Sequence, residues 1–301
     1  MSDSDFKTRD ASSYDNVTGS FDRFTQSYTT PLAERMIEIA GLRPGDRVLD
    51  VGTGTAVVGL LAAKRAGPGC VMGVDLSEAM LEKARIKAES LGVGLELRKM
   101  DAESLDLVEE SHDRVLSLFA LTHFPNPERA LSEMYRILRP GGTLTLAVGS
   151  GPPATSLSGW VRRVGKARDL VLARLGRCCV ATGSLEQWLD TRLASSSQEE
   201  SAWASHHGNR AAILPDLVRA AGFVSVRTSW MGRTARFETP EEFWELQATN
   251  SSKVRKRLGD VDPETVDAFR REYVSHCRKV IERGGKLVYP YAALFVTASR
   301  P

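Results

Sequence analysis

Val48-Leu49-Asp50-Val51-Gly52-Thr53-Gly54-Thr55-Ala56 is the stretch that decides the fold. A short apolar run ends in an acidic residue, two glycines follow, and a helix-forming segment begins. That is a strand, a tight turn and a helix start. Glycines let the chain turn sharply and let backbone come close to a ligand. The helix start offers N–H groups and the positive end of a dipole, which suits an anionic group. Asp75 lies further on, at the end of the next expected strand. In a doubly wound sheet that position faces the ribose of a nucleoside, where a carboxylate accepts two hydroxyl hydrogen bonds.

Outward from this loop the chain alternates regularly. Strands are expected at 47–51, 70–75, 95–99, 114–119 and 143–148, with helices at 56–65, 78–91 and 127–138 between them. The helix at 78–91 puts Met80, Leu81, Ala84, Ala88 and Leu91 on one face. Asn126 is read as the cap of the next helix, with Pro127 at its first position and Gly141 just past its end. Strands separated by helices imply parallel pairing through right-handed crossovers. The expected fold is therefore α/β: a Rossmann-like doubly wound sheet, mostly parallel with an antiparallel last strand, plus helical cap insertions. A helix at 213–221, a strand at 224–230, helical pattern over about 240–283 and a last strand at 287–298 complete it. The organisation expected is an N-terminal helical lid at 1–45, a cofactor-binding core at 46–150, a helical insertion at 151–208 and the remaining core at 209–301. Residues 1 to about 20 read as flexible, and Pro31 as a break between two helices over 21–40.

The loop is a poor dinucleotide fingerprint. The third glycine of that pattern falls on Val57. Asp50, two residues before the first glycine, would repel a pyrophosphate and hold a cationic amino-acid end. The residues point to adenosine joined to an amino acid.

In these features the sequence resembles the class I S-adenosylmethionine-dependent methyltransferases, in particular the ubiquinone/menaquinone-biosynthesis-like branch (methyltransferase type 11). The resemblance rests on Asp50–Ala56, on Asp75 in GVDLSEAML, on Asp101 in KMDAESL, on DRVLSLFALTHFPNPERAL and on LRPGG at 138–142. It implies S-adenosyl-L-methionine as cofactor. It also implies Asp50, Gly52, Thr53, Gly54 and Thr55 around the methionine end, and Asp75 on the ribose. Leu76 and Met80 would pack the adenine, and Asp101 with the Ala102 N–H would read its edge. Ala56 replaces a family glycine, and Leu118 replaces a polar residue of some relatives, so contact there would be through backbone. Tyr14 would belong to a lid over the cofactor. His123, after the fourth strand, is the candidate general base, since an imidazole can change charge near neutral pH. The plainer reading of His123 is local hydrogen bonding, and His206 and His207 are rivals.

The whole chain of 301 residues is 42% hydrophobic and 26% charged, with a net charge of +2. That composition supports a sizeable core, and the charge gives no strong pull towards nucleic acid or anionic membrane. No membrane helix or signal peptide is expected, so the cytoplasm is the expected location. Four cysteines, Cys70, Cys178, Cys179 and Cys277, show neither metal spacing nor a disulfide framework, and no metal is expected. The basic runs at 160–177 and 253–257 read first as solvated helix faces. Trp188, Trp203, Trp230 and Trp244 read as core before acceptor pocket. The expected activity is methylation of a small organic acceptor, a specialised metabolite or quinone, with oxygen ahead of carbon or nitrogen. The alternatives are an RNA or protein methyltransferase, or a cofactor-binding protein without methyl transfer. A nucleic-acid partner is not expected, and a homodimer is left open.

Overall fold

The computed structural model describes residues 3–14, 18–151, 164, 185–193 and 210–301. The basic run at 160–177 apart from Val164, the Cys178–Cys179 pair, Trp203, His206 and His207 fall outside the described residues. The chain divides into two compact units. One comprises residues 1–150, 201–231 and 293–301, and the other 151–200 and 232–292.

Three helices come first: α1 (Asp3–Ser12), α2 (Thr18–Phe24) and α3 (Thr30–Ala40), with a π-helical turn at Thr25–Thr29 before α3. The alternation follows as β1 (Val48–Val51), α4 (Val57–Ala66), β2 (Val71–Asp75), α5 (Glu78–Ser90), β3 (Glu96–Lys99), β4 (His112–Leu118), α6 (Pro127–Ile137) and β5 (Leu138–Gly149). After it come α7 (Leu185–Asp190), α8 (Arg210–Ala220), β6 (Val224–Phe237), α9 (Pro240–Asn250), α10 (Ser252–Gly259), α11 (Pro263–Glu282) and β7 (Leu287–Ser299). The seven strands form one sheet in the order β3-β2-β1-β4-β5-β7-β6. Strands β1 to β5 pair in parallel, and β7 runs antiparallel to β5 from Thr143↔Ser299 to Gly149↔Ala293. This is the Rossmann-like doubly wound sheet. The order reverses between β1 and β4, and in such sheets ligands bind at the carboxyl ends of the strands beside that reversal.

The core explains the sheet. β1 is buried along its whole length, so Val48, Leu49 and Val51 do not alternate with exposed polar residues, and its one polar residue, Asp50, is buried too. α6 turns Ala130, Leu131, Met134 and Ile137 onto β4 and β5, all fully buried. Leu214 and Val218 of α8 join the same cluster. Ala56, Leu60, Ala84 and Ala88 form a second cluster from α4 and α5.

The structure corrects several expectations. Residues 3–12 are helical, not flexible. The expected division into two helices is present, as α2 and α3 with a π-helical turn between them, and Pro31 sits in the first turn of α3, where its missing N–H costs nothing. Leu91 is 55% exposed, because it caps α5 and has left the buried face. Gly141 does not end α6. Leu138 is already extended, and the last helical carbonyls, of Tyr135 and Arg136, accept from the Arg300 guanidinium at 3.2 and 3.1 Å. Strand β6 continues to Phe237. The helical pattern over 240–283 is three helices, because Ser251 and Asp262 each cap a new one.

The second unit has its own core around Tyr273, whose ring meets Trp188, Phe243 and Trp244. Its hydroxyl accepts from Gln247 Nε2 at 2.8 Å, and Gln247 Oε1 accepts from the Leu185 N–H at 2.8 Å. Trp188 and Trp244 are thus part of this packing. Burial pushes the Cys277 thiol there up to about 11, which suits an inert structural cysteine. In the first unit Trp230 donates its indole N–H to the Ser150 carbonyl at 3.1 Å.

Met134 is completely buried between α6 and the sheet. Met134→Ala should lower unfolding free energy by about 2–5 kcal/mol, read from urea denaturation.

Candidate cofactor and acceptor site

The glycine loop is organised from beneath. The N–H groups of Gly52 and Thr53 both donate to the Val74 carbonyl, at 2.8 and 3.0 Å. Asp50 is buried under the loop and accepts from the Thr53 hydroxyl at 2.7 Å and from the Gly59 N–H of α4. Desolvation raises the Asp50 carboxyl, against these two hydrogen bonds, to about 7. Asp75, at the end of β2, accepts the Gly54 N–H on one oxygen at 2.8 Å and the Ser77 N–H on the other at 3.0 Å. Its carboxyl is also pushed up by desolvation, opposed by the backbone N–H groups of Ser77, Gly54 and Leu76. The Ser77 hydroxyl in turn accepts from the Met80 N–H and caps α5.

Gly52 has φ +69°, and a Cβ there would lie 2.2 Å from the Ala120 Cβ. The crowding comes from the end of β4. Phe119 takes the left-handed conformation, φ 65°, and starts the 3₁₀ turn Ala120–His123, which brings Ala120 against the loop. A bulky side chain held at positive φ stores strain, a feature that clusters at functional sites.

The N-terminal segment meets these loops through charges. Lys7 of α1 donates to Asp101 Oδ2 and Glu103 Oε2, both at 2.7 Å. Burial works against the Lys7 ammonium, but the two carboxylates outweigh it and its pKa is raised. Glu103 also accepts the Asn126 N–H at 2.8 Å. Asp10 Oδ2 lies 2.8 Å from His123 Nδ1, and the Tyr14 hydroxyl lies 3.4 Å from His123 Nε2. Asp22 pairs with Lys87 at 2.7 Å, and Lys87 also donates to the Thr55 carbonyl at 3.0 Å.

These parts bound a pocket that is open to solvent and lined by Lys7, Asp10, Ala11, Tyr14, Phe21, Gly52, Gly54, Val74, Asp75, Leu76, Ser77, Met80, Met100, Asp101, Ala102, Leu118, Phe119, Ala120, His123 and Phe124. Tyr14, Gly52, Gly54, Asp75, Leu76, Met80, Asp101, Ala102, Leu118 and His123 are brought together there, as the sequence pattern places them. Asp50, Thr53 and Thr55 are not on the wall. Asp50 and Thr53 hold the loop from below, and Thr55 is buried beside Lys87. Lys7 and Asp10 escaped the sequence reading. They lie in a polar stretch with no motif, and the one signal available was their separation by three residues, which puts both on one helix face.

A nucleoside cofactor fits this wall. Asp75 accepts from the backbone N–H groups of Gly54, Ser77 and Leu76, and a carboxylate has about four acceptor positions. Gly52 and Gly54 leave their edge of the pocket without side chains, and Leu76 and Met80 supply an apolar face. A crevice at the strand reversal of an α/β sheet is where nucleoside-bearing cofactors bind. Residues 48–142 match the family described as methyltransferase domain. Aklanonic acid methyltransferase DauC of Streptomyces sp. strain C5 is 32% identical over 146 residues, which is 48% of this chain and 66% of that protein. Nocamycin O-methyltransferase of Saccharothrix syringae is 26% identical over 292 residues, 94% of this chain and 96% of that protein. The phosphoethanolamine N-methyltransferase 2 of Haemonchus contortus, solved with S-adenosyl-L-methionine, has the same fold at TM-score 0.51 and 18% identity, over 90% of this chain and 52% of that one. The chain thus spans about two thirds of the aklanonic acid enzyme and nearly all of the nocamycin enzyme. The chain belongs to the class I S-adenosylmethionine-dependent methyltransferases, and its cofactor is S-adenosyl-L-methionine. Among the described residues no helix is long and apolar enough to cross a membrane, and no group of three or more His, Cys, Asp or Glu could hold a metal ion.

Gly52→Ala should leave a folded protein by circular dichroism but weaken S-adenosylhomocysteine binding at least about 100-fold by calorimetry, since the methyl meets backbone-fixed Ala120 at a positive φ. The raised Asp50 carboxyl gives a pH test. Its stabilising contribution is full below 3.8 and is lost as pH rises through about 7. Free wild-type protein should therefore lose stability relative to Asp50→Asn over that window, measured by denaturation at each pH.

Proposed function

We propose that the protein transfers the methyl group of S-adenosylmethionine to an oxygen of a small organic acceptor of the specialised-metabolite kind, with His123 as the base. The observation that carries this reading is the position of His123. It sits on the pocket wall one short turn after β4, and its Nδ1 is held by the buried Asp10 carboxylate. The cofactor supplies a methyl already activated on a sulfonium. The chain has to seat the acceptor in line with it and remove a proton where the acceptor binds one tightly.

Asp75 would anchor the ribose hydroxyls, Gly52 and Gly54 would give backbone to the amino-acid end, and Leu76 and Met80 would sandwich the adenine. Asp101 and the Ala102 N–H would read the adenine edge. Asp50 would act electrostatically through the loop it supports. Tyr14, Phe21 and Phe124 would wall the acceptor side with apolar surface, and the N-terminal segment would serve as the lid. A His–carboxylate pair suits an acidic O–H, which must lose its proton. The near full-length similarity to an O-methyltransferase of a natural product supports oxygen over carbon and nitrogen.

The purified protein, given deuteromethyl-labelled cofactor and a panel of phenols, enols and carboxylic acids, should yield a labelled O-methyl product by mass spectrometry. Label on carbon or nitrogen would reject the oxygen assignment, and cofactor binding without transfer to any acceptor would reject the transferase. With the acceptor found, His123→Ala should lower kcat by about 10²–10⁴, with S-adenosylhomocysteine affinity retained.

A further inference from the structure

We propose that Asp10 is a positioning residue that fixes the tautomer of His123, so that the base is assembled only when helix α1 is docked. The proposal rests on the reading of His123 as base, and its first readout does not need that reading. Asp10 is 5% exposed, and its Oδ2 lies 2.8 Å from His123 Nδ1. An ionised carboxylate only accepts hydrogen bonds, so Nδ1 must carry the proton. A neutral ring then presents Nε2 as its acceptor. The Tyr14 hydroxyl, 3.4 Å from Nε2, is placed to donate to it until an acceptor hydroxyl takes that place. In the reaction the acceptor O–H proton passes to Nε2. The Nδ1 proton stays between the ring and Asp10, whose charge stabilises the imidazolium formed, and the Nε2 proton is later lost to solvent.

The contact is not a local one. Asp10 and His123 are 113 residues apart, and only the docking of α1 joins them. Lys7, one helical turn before Asp10, carries that docking through Asp101 and Glu103. Asp101 belongs to the cofactor wall, so the same helix face bears on the cofactor side and on the base. A histidine acting alone would need no buried carboxylate from a distant helix.

The test uses full-length protein with histidine labelled by ¹⁵N, saturated with S-adenosylhomocysteine. Long-range proton–nitrogen correlation is recorded at a pH where the ring is neutral, and His123→Ala identifies the His123 signals. Wild type should show the Nδ1–H tautomer. Asp10→Asn, whose amide can donate to Nδ1, should shift His123 towards Nε2–H and lower kcat by up to about 10⁴-fold, with S-adenosylhomocysteine affinity and acceptor KM little changed. Asp10→Glu should keep the Nδ1–H tautomer and recover part of the turnover. An Nε2–H tautomer in wild type would overturn the proposal. So would an Asp10→Asn protein that keeps both tautomer and turnover, or one that loses cofactor affinity with the tautomer unchanged, since Asp10 would then only dock the helix. If the tautomer follows Asp10 but His123→Ala keeps full turnover, the positioning contact stands and the base assignment falls.

Discussion

The Asp75 carboxylate is the constraint on which the rest of the site depends. One of its oxygens holds the glycine loop through Gly54, and the other holds the turn into α5 through Ser77. It thereby fixes the glycine loop and the turn into α5 relative to one another. Enclosing a carboxylate is unfavourable, and the raised pKa of Asp75 records that cost. Backbone N–H groups offset it in part. Asp50 repeats the arrangement one layer down, with Thr53 and Gly59 as donors, and the charge of Asp75 raises its pKa further. Two buried carboxylates sharing one loop are electrostatically unfavourable to each other. Cationic and hydroxyl-bearing ligand groups relieve exactly that kind of stress, which is why such a loop is suited to an adenosyl amino acid and not to a pyrophosphate.

The N-terminal segment closes on this loop in a different way. α1 is polar and carries no apolar stripe, so its attachment comes from side-chain charges: Lys7 on Asp101 and Glu103, Asp10 on His123. In the next helix Asp22 reaches Lys87. Glu103 and Asp22 are nearly buried, so these pairs are less screened by salt than surface pairs and demand good geometry. Charge-based docking is selective about register, because a shifted helix leaves a buried carboxylate without its cation. Attachment of this kind places particular side chains at particular atoms, whereas an apolar contact would tolerate sliding.

The strand-end half of the pocket wall was legible in the sequence because its logic is local. Gly52, Gly54, Asp75 and Asp101 each sit at a strand end, and the strand pattern alone puts those ends along one edge. The other half was not legible. Lys7 and Asp10 act on groups 94 to 113 residues away, and nothing in a polar helix of ten residues announces such partners. Local rules also failed where a distant residue took over a local job. Gly141 looked like a helix terminator, but Arg300 from the last residues of the chain satisfies α6 instead. Asp50 looked like a ligand contact because its spacing from Gly52 is right, and the structure turns it towards Thr53 and Gly59 beneath the loop. Spacing locates a residue on a strand; it does not say which side of a turn its carboxylate serves.

The same turn shows why two glycine-like positions are not equivalent. Ala56 takes a left-handed conformation, φ 59°, as Gly52 does, yet it carries a methyl group. Left-handed backbone costs an alanine roughly 1–2 kcal/mol. Its methyl is fully buried against Leu60, Ala84 and Ala88, and burying one such carbon returns roughly 0.8 kcal/mol. Burial offsets part of the backbone cost, so alanine is tolerated at the start of α4. At Gly52 no such offset exists, because the added carbon would enter Ala120 and not a space between side chains. Ala120 is held there by the strained turn that also delivers His123 to the pocket. The bareness of Gly52 and the position of His123 are therefore one requirement: the β4 turn can approach the loop only where the loop has no side chain.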